Sequence, residues 1–269
     1  MKRLISMAIL ILAASIAAPA QVQDTGDRLT VNFSDPSRPG QVRVSVLNGS
    51  IAVRTHSGRE VIVQGSAVAR RRPRETADGL KLIDPNGPGL VVEEENNVMT
   101  VSNQSRSGGG NIEIQVPART NLNLRAVNGG AIVVEGVEGE IEVENVNGNV
   151  MLRDVSGSVV ANARNGRLTA VLKDIAANKP MSFISMNAHV DVTLPANAKA
   201  NLRIRTDNGA AYSDFEIQLT RNGAPEVEER PGGARRIRTD RTIVGTINGG
   251  GPDFELRTLN GNIYLRKAK

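Results

Sequence analysis

Five glycines, Gly130, Gly139, Gly148, Gly157 and Gly166, stand nine residues apart. After each comes an apolar pair, two and four residues on: Ile132 and Val134, Ile141 and Val143, Val150 and Leu152, Val159 and Ala161, Leu168 and Ala170. Alternation at period two between turns describes short strands with one buried face. The same unit appears at Gly49 with Ile51 and Val53, with Gly58 nine residues further on, and at Gly261 with Ile263 and Leu265. A short fixed period marks a repeat architecture, in which a unit buries its apolar side only by stacking on its neighbours. Asn-Gly occurs nine times, at Asn48, Asn86, Asn128, Asn147, Asn165, Asn208, Asn222, Asn248 and Asn260. This dipeptide accepts positive φ, so between alternating strands it predicts tight strand–turn–strand connections.

Two all-β folds satisfy this pattern: a β-solenoid, or an antiparallel meander or sandwich. A meander keeps one parity along each strand. Here the third apolar residue falls seven after the glycine, at Val137, Val146 and Val155. The parity breaks there, as it does where a chain turns a corner onto a new face, and the expected fold is a repetitive β-solenoid. Arg164 and Lys173 occupy that position in the next two units and leave the alternative open. After residue 20 no stretch carries a useful amphipathic helix pattern.

Lys2 and Arg3 precede an apolar run from Leu4 to Ala18, and Ala18-Pro19-Ala20 supplies small residues at the cleavage positions. That is a secretory signal peptide, expected to be cut after Ala20. The expected organisation is a signal peptide over 1–20, an N-terminal linker over 21–40 and a single β-strand-repeat domain over 41–269. Loop insertions are expected near 67–89 and 221–240, where proline, glycine and charge cluster. The Ser/Gly-rich stretch 102–111 reads as a further loop. Removing Lys2 and Arg3 lowers the formal charge of +5 to +3, which weakens any case for nucleic acid. No later segment is apolar enough to span a bilayer, so the mature chain is expected in the periplasm or outside the cell.

Candidate chemistry is sparse. There is no cysteine, hence no disulfide scaffold, thiolate nucleophile or cysteine metal site, and two histidines make a histidine cage unpromising. His56 and His189 read as turn or surface residues. The nine-residue period brings to mind calcium-binding β-rolls, but Gly129-Gly130 continues Ala131-Ile132-Val133-Val134 without the aspartate such a loop needs. Glu135, Glu138, Glu140, Glu142 and Glu144 could suggest a carboxylate pair for glycan cleavage. Four of them, Glu138, Glu140, Glu142 and Glu144, share a parity opposite Ile141 and Val143, which points instead to a solvated outer ladder. Gly108-Gly109-Gly110 and Gly249-Gly250-Gly251 lack the lysine or following helix of a phosphate loop. With two tyrosines, four phenylalanines and no tryptophan, a sugar-stacking platform is not expected. No cofactor is expected.

The best candidate contact surface is basic. Arg70, Arg71, Arg72 and Arg74 crowd one loop, and Arg235, Arg236, Arg238 and Arg241 crowd another. The planar guanidinium fork suits carboxylate and phosphate, so an anionic envelope polymer or another envelope protein is the expected partner. The competing reading is a solvated loop whose arginines pair with Glu75, Glu226, Glu228 and Glu229.

Longer echoes carry a resemblance. Leu194-Pro195-Ala196 with Asn201–Gly209 is matched by Val116-Pro117-Ala118 with Asn121–Gly129, and the tail runs Arg257–Arg266 through Asn260-Gly261. Ser213-Asp214-Phe215 follows the Asn208 turn. Over about residues 41–269 the chain resembles the bacterial putative-adhesin family of exported β-strand-repeat proteins, related to toast-rack domains. The resemblance implies an exported β-repeat domain and brings no catalytic residues. The expected function is an exported, non-catalytic binding or adhesin-like module. An envelope sensor or regulatory partner and a polysaccharide-acting β-helix enzyme are the alternatives. One unit departs from the pattern: Ser185-Met186-Asn187-Ala188 replaces the turn glycine with alanine, so either the turn changes or strain is stored there.

Overall fold

The computed structural model describes residues 28–67, 90–103, 110–220, 226–229, 235–238 and 242–269. In chain order its strands are β1 (Arg28–Val31), β2 (Gly40–His56), β3 (Val61–Ala67), β4 (Leu90–Glu95), β5 (Val98–Asn103), β6 (Gly110–Pro117), β7 (Thr120–Glu135), β8 (Glu138–Asn147), β9 (Val150–Ala163) and β10 (Leu168–Ile175). They continue as β11 (Met181–Ser185), β12 (Val190–Leu194), β13 (Ala200–Asn208), β14 (Ala211–Ser213), β15 (Gln218–Leu219), β16 (Glu226–Glu229), β17 (Arg235–Arg238), β18 (Ile243–Ile247), β19 (Asp253–Asn260) and β20 (Ile263–Lys267). Among the described residues there is no helix. No helix there is long and apolar enough to cross a membrane, which says nothing of a β-barrel.

Pairing decides between the two all-β readings. The central neighbours are parallel, which a hairpin meander cannot produce. The long strands β2, β7 and β9 turn a corner and serve two faces. On the first face the stacking order is β5, the front half of β2, the front half of β7, β8, the back half of β9, β11, β19 and β13. On the second it is β6, the back half of β2, the back half of β7, the front half of β9, β10, β12, β20 and β14. Ile132, Val150, Leu168 and Val190 stack in one column, so two nine-residue units make a coil and the next coil is longer by the loop at 176–180. The fold is an all-β, two-faced β-solenoid.

Val, Ile, Leu and Ala from both faces meet in one apolar cluster that runs from Phe33 to Leu265. Ile141, Val143, Val150 and Leu152 point inward, and Glu140, Glu142 and Asn149 outward, as the parity requires. Val137 and Val155 are buried at the corners. Val146 is only half-buried, because Asn145 turns inward there and donates from Nδ2 to the Gly130 carbonyl at 2.9 Å. The ladder also starts earlier than residue 41: β1 pairs with β3, and Phe33 joins the core, although 21–40 reads as a linker. The signal peptide and most of the two insertions lie outside the described residues.

The Asn-Gly units bear out the turn argument at Gly49, Gly129 and Gly249, where φ is positive, and correct it elsewhere among the described residues. At Gly148, Gly166, Gly209 and Gly261 φ is not positive, so these glycines are not selected by a left-handed backbone. They are selected by space. A Cβ on Gly166 would lie 2.0 Å from the Gly148 carbonyl oxygen, and one on Gly148 would lie 2.1 Å from that of Gly130. Coils pack so closely at this corner that only glycine lets the next backbone pass. Ala188 likewise has no positive φ, and the departure stores no backbone strain.

Candidate functional site

The corner that carries the glycines also aligns the asparagines before them. Asn147 donates its amide to the Asn128 side-chain oxygen at 3.0 Å and Asn165 to Asn147 at 2.9 Å. Asn187 donates to Asn165 at 2.7 Å, Asn260 to Asn187 at 2.8 Å and Asn208 to Asn260 at 2.8 Å. Six side chains form an unbroken ladder up the outside of the solenoid. An amide is both donor and acceptor, so identical side chains in register satisfy one another, as in stacked cross-β structures. Asn187 keeps its rung although its glycine is gone.

The outer side of the first face is a charged lattice whose members are mostly paired. Asn123 donates to Glu142 at 2.6 Å, and Arg125 pairs with Glu144 at 2.6 Å. Lys179 pairs with Glu140, and Arg54 with Glu135 at 3.3 Å on the second face. Four of the five glutamates, Glu135, Glu140, Glu142 and Glu144, are therefore engaged on the solvated outer side by a neighbouring side chain. Further along the first face lies a cavity of about 350 Å³ whose lining includes Val160, Ser182, Arg203, Val244, Asp253 and Glu255.

The second face ends in an aromatic cluster. Tyr212 on β14 and Tyr264 on β20 are register partners, and their rings stack with centroids 5.3 Å apart and planes 11° from parallel. His189 meets the Tyr264 ring edge-on at 6.0 Å. Its Nδ1 accepts the Asn262 backbone N–H at 2.8 Å, which puts the proton of the neutral ring on Nε2. Asn262 Nδ2 donates to the Tyr264 hydroxyl at 3.0 Å. Arg266 forks onto Asp191 at 2.8 and 3.1 Å, and its guanidinium lies 5.1 Å from the Tyr264 centroid. The hydrogen bond to Asp191, then its charge, with smaller contributions from Asp214 and Tyr264, raises the Arg266 pKa above its ordinary value.

The expected sites fare differently. Arg70, Arg71, Arg72 and Arg74 lie outside the described residues, as does Arg241. Arg235, Arg236 and Arg238 lie on β17, which pairs with β16 so that Glu229, Glu228 and Glu226 are their register partners. That hairpin is a separate two-stranded sheet. His56 is tied into its own turn, Nε2 to the Glu60 carbonyl at 2.7 Å and Nδ1 from the Gly58 N–H at 3.1 Å. No group of three or more His, Cys, Asp or Glu that could hold a metal is found among the described residues. The tyrosine cluster escaped the sequence reading, which discounted so few aromatics. The signal was there: Tyr212 and Tyr264 each follow the asparagine of an Asn-Gly unit by four residues, so the repeat places them in one outward column.

Fold and surface define a two-faced β-solenoid with outward side-chain ladders. No protein-family model matches the sequence, and no curated protein matches it. Two solved structures are similar to it. One is a putative cell adhesion protein from Clostridium sporogenes, 8% identical with a TM-score of 0.43, spanning 90% of this chain and 100% of that one. The other is a putative adhesin from Bacteroides fragilis, 10% identical with a TM-score of 0.28, spanning 92% and 100%.

Proposed function

We propose that this chain is an exported, non-catalytic binding module of the adhesin type, acting at the bacterial envelope or beyond it. One observation carries the reading: outward side chains are fixed in straight columns by a parallel ladder, as in Asn128–Asn208 and Tyr212–Tyr264. A rigid, repetitive face recognises an extended or repetitive partner without losing side-chain freedom on binding. Four of the five glutamates that a glycan-cleaving reading would use are engaged by neighbouring side chains instead. The names of the two similar structures agree with an adhesin-like role for those proteins.

In this reading residues 1–20 are removed and the mature chain begins at Gln21. N-terminal sequencing of exported protein tests that, and an intact Met1 terminus on mature protein refutes it. The arginine loop is the proposed contact for an anionic envelope polymer. Replacing Arg70, Arg71, Arg72 and Arg74 by Ser should abolish salt-sensitive binding to isolated envelope material and leave the melting temperature unchanged. Binding that survives the four substitutions removes the loop from the reading. Purified protein that binds no envelope material refutes the module itself.

A further inference from the structure

We propose that two copies of this chain exchange the coil made of β19 and β20 and form a reciprocal dimer, each copy completing the other. The proposal goes beyond the binding-module reading and depends on no ligand. It begins from the order of stacking. β11 and β12 are followed in sequence by β13 and β14, through residues 195–199. In space the two coils are separated. β19 lies between β11 and β13, and β20 between β12 and β14, each in parallel register on both sides. The β19–β20 coil is thus an insert, and the strands that line its slot all precede it in the chain.

A second copy offers the same insert. Its contacts are remade between chains: Phe254 against Phe183 with ring centroids 6.4 Å apart, Ile263 beside Val190, Tyr264 on Tyr212 and Arg266 forked onto Asp191. Because these contacts are the same, they cancel between the closed monomer and the exchanged dimer. The balance then lies between the freedom lost on association and the turn that joins the insert to the rest. That turn is short and sharp. It covers residues 248–252 and leads from β18, antiparallel on one side of β13, to β19, parallel on its other side. It reverses direction while crossing two strand spacings, about 9.5 Å. Three consecutive residues take left-handed backbone to do so, Asn248 at φ +51°, Gly249 at +86° and Gly250 at +85°, and the first of them carries a Cβ. In the exchanged form the turn runs open from one copy to the other and needs no reversal. Opening breaks the hydrogen bonds from Gly250 N–H to the Ile247 carbonyl at 3.1 Å and from Gly251 N–H to Asn201 Oδ1 at 3.3 Å. Gly251 and Asn201 are exposed, so water replaces the second. A short hinge under strain favours exchange. Folding order acts in the same direction. Met181 and Phe254 are register partners far apart in sequence, so closing the slot within one chain carries a loop cost, and a second copy at high concentration competes with that closure.

The chain has no cysteine, so introduced thiols report on exchange without interference. Ser182 on β11 and Glu255 on β19 are register partners on the outer side, both half-buried. Ser182→Cys and Glu255→Cys are made separately in the full mature chain. They are mixed in equal amounts, incubated reduced below the melting temperature, and then oxidised. Exchange puts one thiol of each kind in register across two chains. The mixed disulfide should rise with protein concentration and exceed either symmetric disulfide by about fivefold or more. The double variant, oxidised while dilute, closes the same bond within one chain. Locked in this way it should stay monomeric at concentrations where the parent sediments as a dimer. Inserting three glycines between Gly250 and Gly251 relaxes the turn and should lower the dimer fraction about fivefold or more. Unchanged melting temperatures of the reduced single variants verify their fold, and the parent and the three-glycine variant test the proposal without them. Parent that stays monomeric after prolonged incubation at millimolar concentration overturns it. So does a dimer that persists in the locked variant, since an ordinary surface contact then accounts for it. A mixed disulfide no more frequent than random collision allows overturns it as well.

Discussion

The middle of the solenoid and its two ends obey different rules. From β7 to β10 the chain stacks in the order in which it is written, each coil on the one before. At the amino-terminal end β2 packs on β7, although β3 to β6 lie between them in sequence. At the other end the β19–β20 coil lies between β11–β12 and β13–β14, so that Val190 pairs with Ile263. The ends also switch to antiparallel partners, β3 on β6, β4 on β5 and β18 on β13. In the middle, each pairing closes a short loop. At the ends, the short β4–β5 hairpin apart, pairing comes after a long one and carries a larger entropic cost. The repeat therefore encodes a rung wherever the next rung is close, and leaves the order of the ends to long-range fit.

Core truncation should break the comparison most strongly. Leu152, fully buried in the middle, should lose about 2–5 kcal/mol on Leu152→Ala, read by denaturant unfolding. Leu265→Ala, at the carboxy-terminal end, loses similar packing. Its hydrogen-exchange protection should fall mainly in β12, β14 and β20, whereas Leu152→Ala should lower protection in every strand. Equal, global loss in both would mean that the ends are as cooperative as the middle.

Glycines separate the regions next. Gly166→Ala puts a methyl against the Gly148 backbone carbonyl and should destabilise by about 3 kcal/mol or more, because that carbonyl belongs to the ladder and cannot give way. Gly249 lies in the turn before β19 with φ +86° and nothing within 4 Å of its would-be Cβ. Gly249→Ala should lose only about 1–2 kcal/mol, the strain of a left-handed alanine. Thermal unfolding of the pair distinguishes crowding from conformation.

The legible part of the molecule follows the same division. Inward residues from Ile132 to Ala170 could be read from period two, and the corners at Val137 and Val155 from the parity break. The insertion of β19–β20 could not be read, because Gly261-Asn262-Ile263 looks the same wherever its coil is placed. At Gly148, Gly166, Gly209 and Gly261 the reason for the glycine was misread as turn conformation, since a sequence shows the residue and not the carbonyl above it, whereas Gly49, Gly129 and Gly249 do carry the positive φ that reading expects. Tyr212 and Tyr264 fall 52 residues apart in sequence, so only the column position after Asn-Gly hinted that they meet.

Asparagines test the ladder at smaller scale. Asn165 both donates and accepts within the column, whereas Asn208 donates at its end. Asn165→Ala should lose about 1–2 kcal/mol and Asn208→Ala about half as much, in line with the number of hydrogen bonds removed. Equal losses would show that the ladder contributes through something other than its bonds.

Acid should loosen the amino-terminal end. Hydrogen bonds from the Ser37 hydroxyl and then Arg38 hold the Asp35 pKa below its ordinary value. Those from the Ser34 N–H and hydroxyl do the same for Glu94. A carboxyl with a lower pKa when folded contributes stability above the unfolded value and loses it as pH falls through the folded one. The melting temperature should therefore drop further below about pH 4 in the parent than in an Asp35→Asn, Glu94→Gln variant. Parallel curves would mean that the acid response lies elsewhere.

The smallest effect checks the register on which the whole comparison rests. Glu142 lies in the middle of the ladder, outward between Ile141 and Val143, and accepts a hydrogen bond from Asn123 on the neighbouring coil. Glu142 is exposed and Asn123 only half-buried, so water replaces the lost bond and salt already screens the charge. Glu142→Ala should change stability by no more than about 0.5 kcal/mol. At Leu152, by contrast, no water can replace what is removed. The ratio of the two is sensitive to a single-residue slip, because strand side chains alternate and a slip would exchange every inward and outward residue at once. A costly Glu142→Ala beside a silent Leu152→Ala would therefore overturn the register of β8 and β9, and with it the contrast between an encoded middle and fitted ends.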